Sequence, residues 1–284
     1  MKEVGLVLEG GGMRGVFTGG ILEYCLEQNL HFSYVVAVSA GACNAASYVS
    51  KQKGRNKHVT VDYAGHPEYI SFKRLFTNGE LFNMDLIFDT IPNIESPFDY
   101  KSFFQSDQLF YTGVTDCYTG ETIYYEKNEL NDDFNKILRA SCSLPMLAPI
   151  VKHENRPFLD GGISDPIPVN KSLKDGNKKH VVILTQCDGY IKKPLNRGKW
   201  WLKRKYKNYP GLVDIILTRA RIYNDSMKLV KELEREGKAF VFRPTDLRGV
   251  GRTERRKERL QALYDHGYEL ASKRKKELEQ FLLR

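Results

Sequence analysis

Three short stretches of the chain combine the residue types that acyl transfer needs: a glycine run, a serine among small residues, and an aspartate followed by two glycines. Gly10-Gly11-Gly12-Met13-Arg14-Gly15 follows the apolar run Val4 to Leu8 and opens a segment with helical spacing. Glycines there leave consecutive backbone N–H groups unobstructed at the positive end of a helix, where they can stabilise an oxyanion; a tight turn that needs glycine gives the same pattern. Ser39 ends the β-branched run Tyr34 to Val38, with Ala37 and Gly41 two residues to either side. A strand turning sharply into a helix at that point exposes the hydroxyl, and a serine N-cap is the alternative. Asp160 follows Phe158-Leu159 and precedes Gly161-Gly162, which puts a carboxylate at a strand end with flexible residues carrying the chain past it. An Asp-Gly-Gly turn looks alike. An exposed aspartate titrates at about 3.9 and is a poor base, so Asp160 would have to be buried to act as one.

Other chemistries fit less well. The glycine run satisfies G-x-G-x-x-G, but the next strand ends in Ala37-Val38-Ser39-Ala40-Gly41 without the acidic residue that holds a ribose. Val16, not lysine, follows Gly15, which excludes a P-loop. The six histidines, His31, His58, His66, His153, His180 and His266, sit in no recognisable strand-end motif, although a Ser-His-Asp arrangement could recruit His180 or His266. The five scattered cysteines form no C-x-x-C pair, so neither a disulfide framework nor a zinc site is expected, and no metal or other cofactor.

The elements that must carry these residues follow from periodicity. Val4 to Leu8 and Tyr34 to Val38 predict buried strands, each feeding a helix, the first from about Val16 to Gln28. Repeated strand–turn–helix units imply right-handed crossovers and a mainly parallel sheet with helices on its faces. Leu109 to Asp116 and Thr122 to Glu126 flank Tyr118-Thr119-Gly120-Glu121 as a hairpin, followed by a helix near Asp132 to Ala140. Val181 to Thr185 and Ala239 to Arg243 predict further strands. The stretch 51–106 is polar, aromatic and broken by Pro67, Pro92 and Pro97, as an insertion that shapes a substrate pocket would be.

Together, in this order, the motifs resemble those of patatin-like phospholipases: Gly10 to Gly15 their G-G-G-x-[RK]-G oxyanion loop, Ser39 their G-x-S-x-G nucleophile, and Asp160-Gly161-Gly162 their D-G-G/A base. Arg139 to Pro145 and Ile163 to Val169 resemble stretches that accompany the aspartate in bacterial members. The resemblance implies a three-layer α/β/α fold with a mainly parallel sheet. It also implies a Ser39–Asp160 dyad without histidine, Gly11 and Gly12 amides with their neighbours as oxyanion donors, no metal, and a lipid ester substrate. Arg14 matches the basic position of the loop and would fix it by hydrogen bonds to carbonyls. Ala37 stands where the family has the first glycine of its serine motif, and Glu9 where many relatives carry aspartate.

The expected organisation is a catalytic domain over 1–190, with a basic segment, a further strand and a helical part over 191–284 packed on it. Net charge is +9, which favours anionic partners. Between Ile191 and Lys207 eight basic residues and no acidic one surround both tryptophans. Lys199, Trp200, Trp201, Lys203 and Arg204 are therefore candidates for peripheral contact with an anionic membrane surface, ahead of nucleic acid, for which no binding module is present. For this segment the alternative is a solvated loop or helix with its indoles packed on the domain; for the chain as a whole, the rival to an enzyme is a non-enzymatic, basic membrane- or nucleic-acid-associated protein with a decayed site. The tail from about Thr253 is amphipathic and is expected to pack on the domain. No apolar run reaches membrane-spanning length, and Val4 to Leu8 is too short for a secretory signal, so a cytoplasmic protein is expected. Oligomeric state is not legible.

Overall fold

The computed structural model describes residues 3–283. Val4–Leu8 (β1), Tyr34–Val38 (β2), Leu109–Asp116 (β3), Thr122–Glu126 (β4), Val151–His153 (β5), Arg156–Asp160 (β6), Lys179–Ile183 (β7) and Ala239–Phe242 (β8) form one sheet in the order β5-β6-β3-β2-β1-β7-β8, with β4 also on β3. The strands β3, β2, β1, β7 and β8 run parallel. The β4, β6 and β5 pairings are antiparallel.

The parallel strands are apolar on both faces because both are covered. Leu6, Leu8, Val35, Ala37, Val181, Ile183, Phe240 and Phe242 point into one core, and the alternate residues Val7, Val36, Val182 and Val241 into another. The first core holds Val16–Glu27 (α1) and Ala40–Val49 (α2), together with Lys257–Lys273 (α10) and Lys275–Leu283 (α11). On the second face lie Val169–Lys174 (α7) and the long Pro210–Arg235 (α9). These two helical layers and the sheet make the three-layer architecture. A third, smaller cluster seats Lys199–Lys205 (α8) by Leu202 and Tyr206 against Leu159, Ile163 and the start of α9.

Between α2 and β3 the chain is a series of short turns: Arg55–Lys57 (α3), Phe72–Asn78 (α4), a wide π-type segment over Leu86–Glu95 that contains Pro92, and Tyr100–Gln105 (α5). Phe134–Cys142 (α6) follows a 3-10 turn over Asn131–Asp133, so the regular helix starts two residues later than its periodicity suggests. The strand β7 lies two residues earlier than the apolar run 181–185. Lys179 pairs with Val4 and sends its ammonium to the Phe281 carbonyl, while the Thr185 N–H leaves the ladder to bond Glu9.

Helices α1 and α10 cross through facing glycines: a Cβ on Gly20 would lie 2.0 Å from the Tyr264 carbonyl oxygen, and one on Gly267 2.2 Å from that of Phe17. Gly267→Val should therefore force the helices apart, at a cost of about 1–3 kcal/mol. For a chain of this size that lowers the melting temperature by roughly 2–10 °C, measurable by calorimetry; an unchanged melt would show that the crossing is slack.

Candidate active site

Strand β3 brings the side chains of Ser39 and Asp160 together. Its Gly113 pairs with Val38, the residue before Ser39, and its next residue, Val114, pairs with Asp160. Since β4 occupies the other side of β3 at this level, β2 and β6 abut end to end along the same side. Ser39 leaves β2 at φ 56, ψ −135, a left-handed conformation for a non-glycine residue, and α2 starts immediately after it. Such backbone strain, about 1–3 kcal/mol, persists only where neighbours hold it. Here the Ser39 N–H donates to Ser141 Oγ at 2.8 Å, and Ser141 Oγ donates to the Gly113 carbonyl at 2.7 Å. Tight packing also explains the glycines: a Cβ on Gly41 would sit 2.7 Å from the Glu9 carbonyl, and one on Gly161 2.1 Å from that of Gly113. Ala37 is fully buried in the first core, which accommodates its methyl.

Ser39 Oγ donates to Asp160 Oδ2 at 2.6 Å. The other carboxylate oxygen, Oδ1, accepts the Gly162 N–H at 2.7 Å, and Thr115 Oγ1 donates to the Asp160 carbonyl at 2.8 Å. Asp160 is buried, which raises its pKa. The Ser39 hydroxyl, the Arg219 charge, the Gly162 amide and the Arg252 charge oppose that rise. Arg219 is also fixed here, donating from Nε to the Gly162 carbonyl at 2.8 Å.

The glycine loop enters a 3-10 turn over Gly12–Gly15, with Gly12 at φ +58. Its amides are not all free. Met13 N–H donates to the Arg252 carbonyl at 3.1 Å and Gly10 N–H to that of Pro166 at 3.4 Å. The amides of Gly11 and Gly12, the cap and the first residue of the turn, have no intrahelical acceptor. The neighbours expected to share oxyanion binding are thus committed elsewhere. Gly15 packs on Ala40, and its carbonyl accepts from Asn44 Nδ2 at 2.8 Å.

Arg14 is buried and its Nε has no hydrogen-bond partner; burial lowers its pKa, and the nearby Glu9 charge opposes that shift. Glu9 accepts from the Thr185 N–H at 2.5 Å and the Tyr223 hydroxyl at 3.0 Å, while burial raises its pKa.

Ser39 faces an apolar cavity of about 140 Å³. Its walls include Met13, Val59, Tyr69, Phe88, Ile91 and Leu138, so much of it is made by the 51–106 segment. Cys43 and Cys142, their sulfurs 3.5 Å apart, close it beside Ser39. No histidine lines this cavity or the small polar recess on which Ser39 and Asp160 also border. His180 is buried in β7 against Ser172, its pKa pulled down to about 4 by burial, and His266 bonds Thr245. Among the described residues no group of three or more His, Cys, Asp or Glu is placed to hold a metal ion, and no helix is long and apolar enough to cross a membrane.

Lys199, Lys203 and Arg204 lie on α8 with Trp200 and Trp201, whose rings meet edge to face and are 64% and 63% exposed, so the indoles are not packed on the domain. Arg204 lies over the Trp200 ring.

Residues 6–172 match the family model of patatin-like phospholipase, and residues 209–283 match a domain of unknown function (DUF6363). The chain belongs to the patatin-like phospholipase family, a family of lipid acyl hydrolases. It is similar to the uncharacterized protein YjjU of Escherichia coli (strain K12), with 28% identity over 259 residues that cover 87% of this chain and 70% of that protein. Among solved structures it overlaps VipD from Legionella pneumophila at a TM-score of 0.49 and 13% identity, across 95% of this chain and 66% of that one.

Proposed function

We propose that this protein hydrolyses carboxylic esters of lipids through an acyl-enzyme, with Ser39 as nucleophile and Asp160 as its base. The observation that carries the reading is the 2.6 Å bond between the two side chains, at a strained turn that opens on an apolar cavity. Asp160 takes the hydroxyl proton as Ser39 Oγ bonds to the ester carbonyl carbon. The Gly11 and Gly12 amides receive the oxyanion, each such donor lowering the barrier by about 3 kcal/mol in comparable enzymes. Collapse of the intermediate breaks the ester C–O bond, and Asp160 returns the proton to the leaving alcohol. Water, deprotonated by the same carboxylate, then attacks the acyl-serine and releases the fatty acid. The acyl chain occupies the apolar cavity, where each buried CH₂ contributes about 0.8 kcal/mol. The test is whether the wild-type protein reacts with a fluorophosphonate and releases fatty acid from lysophospholipids; folded protein that does neither is not this enzyme.

We further propose that α8 brings the site to an anionic membrane surface. Leu202 and Tyr206 anchor the helix, and the Tyr206 hydroxyl accepts the Met146 N–H at 2.9 Å, two residues from the cavity-lining Leu144. The exposed indoles with Lys199, Lys203 and Arg204 suit a headgroup layer. Removing two cations with Lys203→Gln/Arg204→Gln should cost about 2 kcal/mol, roughly thirtyfold in partitioning to vesicles rich in phosphatidylglycerol. Cosedimentation that is unchanged, or equal on phosphatidylcholine alone, argues against it.

A further inference from the structure

Beside Ser39 lies a second, polar recess, formed by Glu9, the glycine loop, Asp160, Gly162, Arg219, Tyr223 and Arg252. It shares only Gly12, Ser39 and Leu144 with the apolar cavity. The cationic wall comes from beyond the segment that matches the phospholipase model: Arg219 from α9 and Arg252 from the loop after β8, both within the DUF6363 match. Lys192 stands over the Tyr223 ring at 5.2 Å, its backbone pinned to Asn224 by two hydrogen bonds.

The charges around this recess do not balance. Arg219 and Arg252 line it together with two carboxylates, those of Glu9 and Asp160, and Arg14 and Lys192 lie near enough to add further positive charge. No carboxylate among the described residues forms a contact ion pair with Lys192, Arg219 or Arg252. The imbalance is costly: burial together with Arg219, Arg252 and Arg14 pulls the Lys192 pKa down to about 7. An anion placed among these groups would reverse that penalty, and partly desolvated cations with no carboxylate partner are where charge-assisted bonds to phosphate are strongest. The recess itself, about 20 Å³, holds one water-sized group, so such an anion sits at its mouth, where the lining residues Arg219 and Arg252 are partly exposed and Lys192 is held against the lining Tyr223.

We infer that Arg219, Arg252 and Lys192 form an anion subsite that seats the phosphate of a glycerophospholipid while its acyl chain enters the apolar cavity. The C-terminal segment thereby selects acidic lipids over neutral esters. This deepens the acyl-hydrolase reading and rests on it for the placement of the ester at Ser39.

Binding to the full-length Ser39→Ala protein tests the subsite without turnover. Calorimetry should show 1-octanoyl-lysophosphatidic acid binding at least tenfold tighter than 1-monooctanoylglycerol. Arg252→Gln and Lys192→Met, each added to that background, should shrink the preference at least threefold, while Arg252→Lys retains most of it. Inorganic phosphate should bind more weakly than the lysolipid and compete with it. Equal affinity for the charged and neutral lipids, or a preference that survives both neutral substitutions, overturns the inference. Inorganic phosphate binding as tightly as the lysolipid overturns the lipid assignment, since the site would then be one for free phosphate. Turnover is read separately on wild-type protein: a preference in binding with no hydrolysis of either lipid leaves the subsite standing and removes the hydrolase reading.

Discussion

Replacing Ser39 by alanine should abolish fluorophosphonate labelling and lower kcat on lipid esters by about 10⁴-fold or more, the scale of loss when a serine hydrolase loses its nucleophile. The Gly11 and Gly12 amides and the cavity remain, so the residual rate should still exceed the reaction in water. The fold should survive. The left-handed backbone at Ser39 is as unfavourable for alanine as for serine, whereas glycine adopts it without cost. Ser39→Gly should then be as inactive as Ser39→Ala yet more stable by about 1 kcal/mol, or roughly 2–4 °C in melting temperature. Full labelling of a folded alanine variant would assign the nucleophile to another residue.

Asp160→Asn should lower kcat by about 10³-fold or more, because the amide still accepts from Gly162 but cannot take the serine proton. The pH profile should change with it. Burial raises the Asp160 pKa above its usual 3.8, so wild-type activity should fall as pH drops through that raised value, and this limb should vanish from whatever activity the asparagine variant keeps. Stability runs the other way. A carboxyl whose pKa is raised by folding stabilises the protein below its unfolded pKa, and that contribution is lost as pH rises through the folded value. At pH 8 the ionised carboxylate therefore costs stability, and Asp160→Asn should melt no lower than wild type, with its relative advantage shrinking toward pH 4. Thermal melts at both pH values check this; a variant uniformly less stable would mean that the buried charge is fully compensated by Gly162, Arg219 and Arg252.

Much of the sheet was legible in the chain because β1 and β2, covered on both faces, must be unbroken apolar runs, and each ends at a residue type that closes a strand sharply. Ser39 and Asp160 could be singled out because their neighbours are small for a steric reason, the close backbone approaches at Gly41 and Gly161. What sequence spacing does not carry is the partnering of polar groups across the fold. Arg14 looked like a clamp for its own loop, but its buried Nε has no hydrogen-bond partner, and Glu9, five residues earlier, supplies the nearby opposite charge. No motif in the sequence marks Arg219. Its spacing from Tyr223 and Met227, both buried on α9, was the available signal, since a charge in line with a buried stripe needs a partner. Ser141, which holds the Ser39 amide, lies in the Arg139 to Pro145 stretch, and nothing local marks its role.

Because residues 38 and 160 sit on consecutive rungs of β3, the spacing of hydroxyl and carboxylate depends on one step of a single strand. The chamber beside them is walled largely by an excursion of chain that belongs to no layer of the fold. Substitutions in that excursion can therefore reshape the chamber without altering the strand step that sets the spacing of residues 39 and 160.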